Sequence, residues 1–271
     1  MKSSLYAFFM ATALCLGLTA CDLLDGFGGG GNGGGVFGYA DKWAGLVNET
    51  SHEVKVERNT LTYGEHRYTV SGSVDFDFDP AHYDQQSTGF VEFTNIPSGY
   101  TEFKAVYENL LGKSLQGTAA MVPMAMEIYG RNASTGEKCF KLLCKDDATV
   151  SGIIRILKTK FPRSAEDEKD KYFQRYLPAA LLEGADYENA YTPEYPYAVN
   201  CGAAATLPQE TKMSPYGTVY YTYIFADGWD SRNRGVDIFL PKGETLFKVQ
   251  GCSSCYTQCK DIFGGPWQGL K

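Results

Sequence analysis

The hydrophobic pattern changes period twice along the chain, and this limits the architecture more than any other feature. In His52–Arg58, Val54 and Val56 oppose Lys55 and Glu57; in Tyr68–Phe78, Val74, Phe76 and Phe78 oppose Asp75, Asp77 and Asp79, up to a stop at Pro80. Gly89–Ile96 adds Phe90, Val91 and Phe93. Period two marks strands buried on one face, and short connections favour antiparallel pairing. From Thr101 the spacing becomes helical. Thr101–Leu111 ends at Gly112, and Thr118–Tyr129 holds Pro123, which predicts a late start or a kink. Thr135 is the expected cap of Glu137–Lys145, and Asp146–Lys160 follows; Ser164-Ala165-Glu166-Asp167 reads as a capping box opening a helix through Leu177. Asp186–Asn200 reads as a Tyr/Pro-rich loop. Gly217–Ala226 is the strongest strand, and Gly235–Leu240 with Thr245–Gln250 makes a hairpin across Pro241–Glu244. The order predicts an α+β fold: N-terminal antiparallel strands, a central cluster of short helices, and C-terminal antiparallel strands.

The amino end does not belong to that pattern. Lys2 precedes the apolar stretch Leu5–Leu18, which falls short of the roughly 20 residues a bilayer-spanning helix needs. A charged start and a short apolar run read as a secretory signal peptide. The stretch ends in Leu18-Thr19-Ala20-Cys21, which resembles the bacterial lipobox. That resemblance implies diacylglycerol on the Cys21 sulfur, cleavage before Cys21, and further acylation of the new amino group. Several acyl chains give durable anchoring, at about 0.8 kcal/mol per buried CH₂. Gly26–Gly38 then carries nine glycines in thirteen residues. Such a segment is a flexible coil, and about 17 residues of it span on the order of 20–25 Å. The expected organisation is a signal peptide over 1–20, a lipidated Cys and Gly-rich tether over 21–38, and a single α+β domain over 39–271. A phosphate-binding loop is a poor alternative for the glycines, since no Lys-Ser/Thr follows and no strand precedes.

Charge narrows the partners. The chain holds 25 Lys+Arg against 32 Asp+Glu, a formal charge of −7, and Lys2 is the only charge in the signal. An acidic body lacks the basic face that phosphate neutralisation requires, so no nucleic-acid partner is expected. It also stands away from an anionic membrane surface. The expected membrane contact is the N-terminal lipid alone, in the cell envelope, at the outer membrane. Asp22 after the lipidated Cys is an inner-membrane retention signal in some lineages.

Two further stretches resemble a known group. These are Asn95-Ile96-Pro97-Ser98-Gly99-Tyr100-Thr101-Glu102-Phe103, continued by Leu110–Ala120, and Asp227-Gly228-Trp229-Asp230-Ser231-Arg232. They are similar to lipoproteins of gut anaerobes that share a domain of unknown function. The resemblance covers most of the body and implies no activity and no site residue.

Six cysteines remain beyond Cys15 and Cys21: Cys139, Cys144, Cys201, Cys252, Cys255 and Cys259. An even count in an exported chain suggests disulfides, with 15 full pairings open. Free buried thiols are a second reading. The third is redox or metal chemistry at Cys252-Ser-Ser-Cys255-Tyr-Thr-Gln-Cys259, where a helix start could favour a thiolate. Zinc would need a fourth ligand, which Cys201 could supply though nothing in the spacing requires it, and no βαβ unit precedes the motif as a thioredoxin fold requires. His52 and His66 read as surface or satisfied residues. Asp79, His82 and Asp84 could approach a divalent ion, and Asp75, Asp77 and Asp79 imitate the start of a calcium loop. That loop lacks Gly at its sixth position and has Gln86 at its twelfth, so a solvated strand face is the better reading. No metal and no cofactor are therefore expected. Tyr187, Tyr191, Tyr195 and Tyr197, interleaved with Pro193 and Pro196, and Trp229 form a candidate aromatic surface for a glycan or protein partner. No nucleophile elbow or dinucleotide fingerprint is present. The favoured role is a non-catalytic binding or accessory module. The alternatives are a thiol-redox or metal-binding protein using the C-terminal Cys cluster, and an envelope hydrolase whose carboxylates the sequence does not identify.

Overall fold

The computed structural model describes residues 47–72, 89–161, 176–202 and 213–260. The chain divides into two units, Met1–Gly31 and Asn32–Lys271, and every described residue belongs to the second. The strands are β1 (Val54–Glu57), β2 (Thr60–Tyr63), β3 (His66–Gly72), β4 (Gly89–Phe93), β5 (Tyr197–Cys201), β6 (Met213–Ser214), β7 (Gly217–Phe225), β8 (Asn233–Pro241) and β9 (Lys248–Gly251). The helices are α1 (Tyr100–Asn109), α2 (Leu115–Arg131), α3 (Ala133–Leu143) and α4 (Asp147–Lys160). The α+β class expected from the pattern is what the chain adopts.

All strands join one antiparallel sheet in the order β1-β2-β3-β4-β5-β7-β8-β9, with β6 paired to β7. Two-residue turns connect the first three. Arg58 takes a left-handed φ of 53° in one turn and Gly64 a φ of 59° in the other, where the ring of His52 lies over it. β2 was not foreseen, because Thr60–Tyr63 is too short to display a period. β3 covers the start of the expected Tyr68–Phe78 strand; its acidic continuation lies outside the described residues, as does the expected helix start at Ser164.

β5 corrects the sequence reading of Asp186–Asn200 as a loop. Tyr197, Val199 and Cys201 alternate inward from this strand, which pairs with β4 from Phe93↔Tyr197 to Gly89↔Cys201 and bridges to β7 at Cys201↔Ile224. Its period was masked by Pro193 and Pro196, which precede the strand, where a missing N–H does no harm. β5 thus unites the N-terminal and C-terminal strands in one sheet.

α2 lies against that sheet, touching β4, β5, β7, β8 and β9. It is buried from Leu115 to Tyr129 and apolar on nearly every side, as a helix enclosed by a sheet and other helices must be. It starts earlier than its pattern predicted and runs through Pro123. The start is fixed by Ser114, whose Oγ accepts from the Gly117 N–H at 3.0 Å, an N-cap that contributes about 1 kcal/mol. The cap of α3 also differs from expectation. Asn132 Oδ1 accepts from the Thr135 N–H at 3.0 Å, so Thr135 supplies a donor and not the capping side chain. Asp146 caps α4.

The β9 edge is closed by the α3–α4 connection: Cys144 bridges Val249, and Lys145 N–H donates to the Val249 carbonyl at 2.8 Å. Among the described residues no helix is long and apolar enough to cross a membrane.

Candidate functional site

The first turn of α1 holds a carboxylate with four hydrogen-bonding partners. Glu102 is 1% exposed. Its Oε1 lies 2.7 Å from His66 Nδ1 and accepts from the Tyr68 hydroxyl at 2.8 Å. Its Oε2 accepts from the Ser98 N–H at 2.8 Å and the Ser98 hydroxyl at 2.7 Å. Burial works to raise the Glu102 pKa; the bonds from His66 and Ser98 outweigh it and hold the carboxyl below its ordinary range. The same bond raises the pKa of His66, against a smaller effect of burial. Tyr68 is driven well up by burial and by the charge of Glu102. His66 is thus the satisfied histidine its sequence position suggested. The sequence reading missed Glu102, although the Ser98–Glu102 spacing beside a glycine N-cap was a usable signal.

A second carboxylate completes the start of α1. Gly99 caps the helix without a side chain. Glu49, far off in sequence, accepts from the Tyr100 N–H at 3.0 Å and from the Thr101 N–H and hydroxyl at 2.8 Å each. Two acids at a helix start also complement its dipole.

The six cysteines beyond Cys21 are all free thiols and all buried. Cys201 Sγ donates to the Gln116 carbonyl at 3.5 Å, and Cys259 Sγ to the Tyr191 hydroxyl at 3.4 Å. Burial pushes Cys144 and Cys255 up to about 12, with Arg234 pulling Cys255 the other way. Burial raises Cys139, Cys201 and Cys252 as well. A thiol so placed stays protonated at neutral pH and is a poor nucleophile. Cys252-Ser-Ser-Cys255 forms a single 3₁₀ turn, not the opening of a helix long enough to favour a thiolate.

Arg234, whose sequence with Gly235 reads as a turn signal, stands instead within β8, beside this turn at 7% exposure. Its guanidinium lies 5.2 Å from the Trp229 ring, Nη1 donates to the Ser254 carbonyl at 3.3 Å, and Nε has no hydrogen-bond partner among the described residues. Burial lowers its pKa, while Cys255, Cys259 and Tyr221 support its charge.

Most of the candidate aromatic surface is core, which corrects that expectation. Tyr191, Tyr197 and Trp229 are buried. Tyr191 stacks on Tyr176 at 4.5 Å and donates to the Lys260 carbonyl at 2.5 Å. Trp229 Nε1 donates to the Thr257 carbonyl at 2.7 Å. The polar tips of Tyr191 and Trp229 are satisfied inside, as buried rings of this kind require. Tyr195 is 59% exposed, and Tyr187 is half-buried beside Lys260. Among the described residues, no three His, Cys, Asp or Glu side chains converge as a metal site. Cys21, Asp75, Asp77, Asp79, His82, Asp84 and Gln86 lie outside the described residues.

No curated protein and no solved structure matches the chain. A family model does match, over residues 95–262, a span that opens just before α1 and closes after the Cys252–Cys259 segment. It is described as a domain of unknown function (DUF6935), and this chain belongs to that family.

Proposed function

We propose that the chain is a lipid-anchored cell-envelope protein whose folded body is a non-catalytic binding or accessory module. The observation that carries the reading is Leu18-Thr19-Ala20-Cys21 behind Lys2 and a short apolar stretch, the arrangement a lipobox requires. The Gly-rich segment after it suits a tether, and the acidic balance of the chain, −7 over its full length, suits a body held off the membrane. The groups best placed for chemistry are already engaged in holding the fold. Glu102 is occupied by His66, Tyr68 and Ser98, which speaks against a hydrolase built on it. The burial of all six thiols, with Cys252 and Cys255 held protonated by it, speaks against a redox role. Outer-membrane placement and a glycan or protein partner complete the proposal, with Tyr195 the most exposed ring of the candidate set Tyr187, Tyr191, Tyr195, Tyr197 and Trp229.

Metabolic labelling with palmitate tests the anchor. Label and membrane fractionation are both expected to be lost in Cys21→Ser. A Cys21→Ser product that still fractionates with membranes at full precursor mass overturns the reading.

A further inference from the structure

β1 ends the sheet, and among the described residues nothing pairs with its outer edge. Its register on β2 shows which backbone groups that edge offers. Glu57↔Thr60 flanks the two-residue turn Arg58-Asn59, and such a pair exchanges hydrogen bonds. Two residues on, Lys55↔Thr62 does the same. Val54 and Val56 therefore turn their N–H and C=O groups outward. Their side chains share the inner face with Leu61 and Tyr63, their partners in register, yet stand 36% and 46% exposed. The core-facing side of the sheet thus extends past its helical cover. Lys55 and Glu57 share the opposite face, both exposed, with Lys55 3.3 Å from Glu53.

We propose that this edge pairs antiparallel with the same edge of a second copy, across a two-fold axis at Val56. In that register Val56 meets Val56 as a hydrogen-bonded pair, and Lys55 of each copy faces Glu57 of the other. The strand is complementary to itself in charge, in hydrogen bonding and in the placement of its apolar face, as an isologous contact demands. A lysine in mid-edge resists arbitrary strand addition, and here the opposing Glu57 meets it. Four residues a side make a small contact, so the dimer is weak and concentration-dependent.

Cysteine cross-linking of the full chain in membranes, read on non-reducing gels, tests the register. Val56→Cys is expected to give a covalent dimer, since facing Cα atoms of a hydrogen-bonded pair lie about 5.5 Å apart. Lys55→Cys alone and Glu57→Cys alone are expected to give little, whereas co-expressing the two gives a dimer. Sedimentation of the detergent-solubilised chain tests the charges. Lys55→Glu is expected to weaken association at least tenfold, and Lys55→Glu with Glu57→Lys to restore it. A chain that stays monomeric at all concentrations overturns the proposal. So does a dimer indifferent to Lys55→Glu, or cross-linking as strong at 55 alone as at 56.

Discussion

His66 and Glu102 hold each other at 2.7 Å across the junction of β3 and α1, the histidine a quarter exposed and the carboxylate enclosed. The pair makes stability depend on pH from both sides. His66 has a folded pKa above its ordinary 6.5, so its contribution is complete below that value and is lost as pH rises through the higher folded one. Glu102 has a folded pKa below its ordinary 4.5, so its contribution is complete above that value and is lost as pH falls through the lower folded one. Urea unfolding across pH is expected to show greatest stability near about pH 5 to 6. His66→Gln is expected to flatten the alkaline limb and, because His66 supplies the leading bond that lowers Glu102, to shrink the acid limb as well, leaving there the part that the Ser98 bonds support.

Removing the carboxylate leaves its donors stranded. Glu102→Ala orphans the Tyr68 and Ser98 groups in the interior and is expected to cost about 3–5 kcal/mol. Tyr68→Phe removes one donor and leaves Glu102 its other bonds, at about 1 kcal/mol. Denaturant midpoints at fixed slope separate the two.

Two helical glycines should respond with opposite sign. A Cβ on Gly136 would stand 2.2 Å from Tyr129 Cα, where α3 crosses α2. Gly136→Ala must push the helices apart and is expected to lose about 1–3 kcal/mol. Gly152 in α4 has nothing within 4 Å, and Gly152→Ala should gain about 0.5–1 kcal/mol. Thermal unfolding of both variants checks the pair.

The caps of α3 can be told apart in the same way. Asn132→Ala loses the side chain that accepts from Thr135 and is expected to cost about 1 kcal/mol. Thr135→Ser keeps the backbone donor and should cost less than half as much.

Thiol accessibility follows from burial. With the chain reduced and then freed of reductant, Cys139, Cys144, Cys201, Cys252, Cys255 and Cys259 are expected to resist alkylation in the native state and to react on unfolding. Peptide mass mapping after a brief iodoacetamide pulse reads each site. Rapid native labelling of Cys255 or Cys259 would revive the redox alternative.

What the sequence disclosed was local. The period of Gly217–Ala226, the helical spacing of Asp146–Lys160 and the alternation around Val91 are carried by neighbours a few positions apart, and those elements stand where expected. The errors arose where distant residues decide. Tyr197–Cys201 is a strand because β4 lies beside it. Pro123 is tolerated in a helix enclosed on nearly all sides. Tyr191 and Trp229 are core residues because Tyr176 and the Thr257 carbonyl are there to receive them. Glu102 stayed hidden for the same reason, since His66 and Tyr68 reach it from another part of the chain. Exposure cannot be read from residue type alone, and the aromatic surface was overdrawn on that account.

The seam between β4 and β5 bears on how the family's boundary is drawn. The matched span begins at residue 95, after the last residue of β4, whereas β5 lies well inside it. Excising that span as a recombinant fragment would sever five register pairs and strip Leu61, Tyr68, Val91 and Phe93 from the interior. The cut piece would present β5 as a raw, sticky flank, prone to clump with its own kind. A unit that matures intact must therefore carry its first four strands, so the matched span is shorter than the segment that can stand by itself.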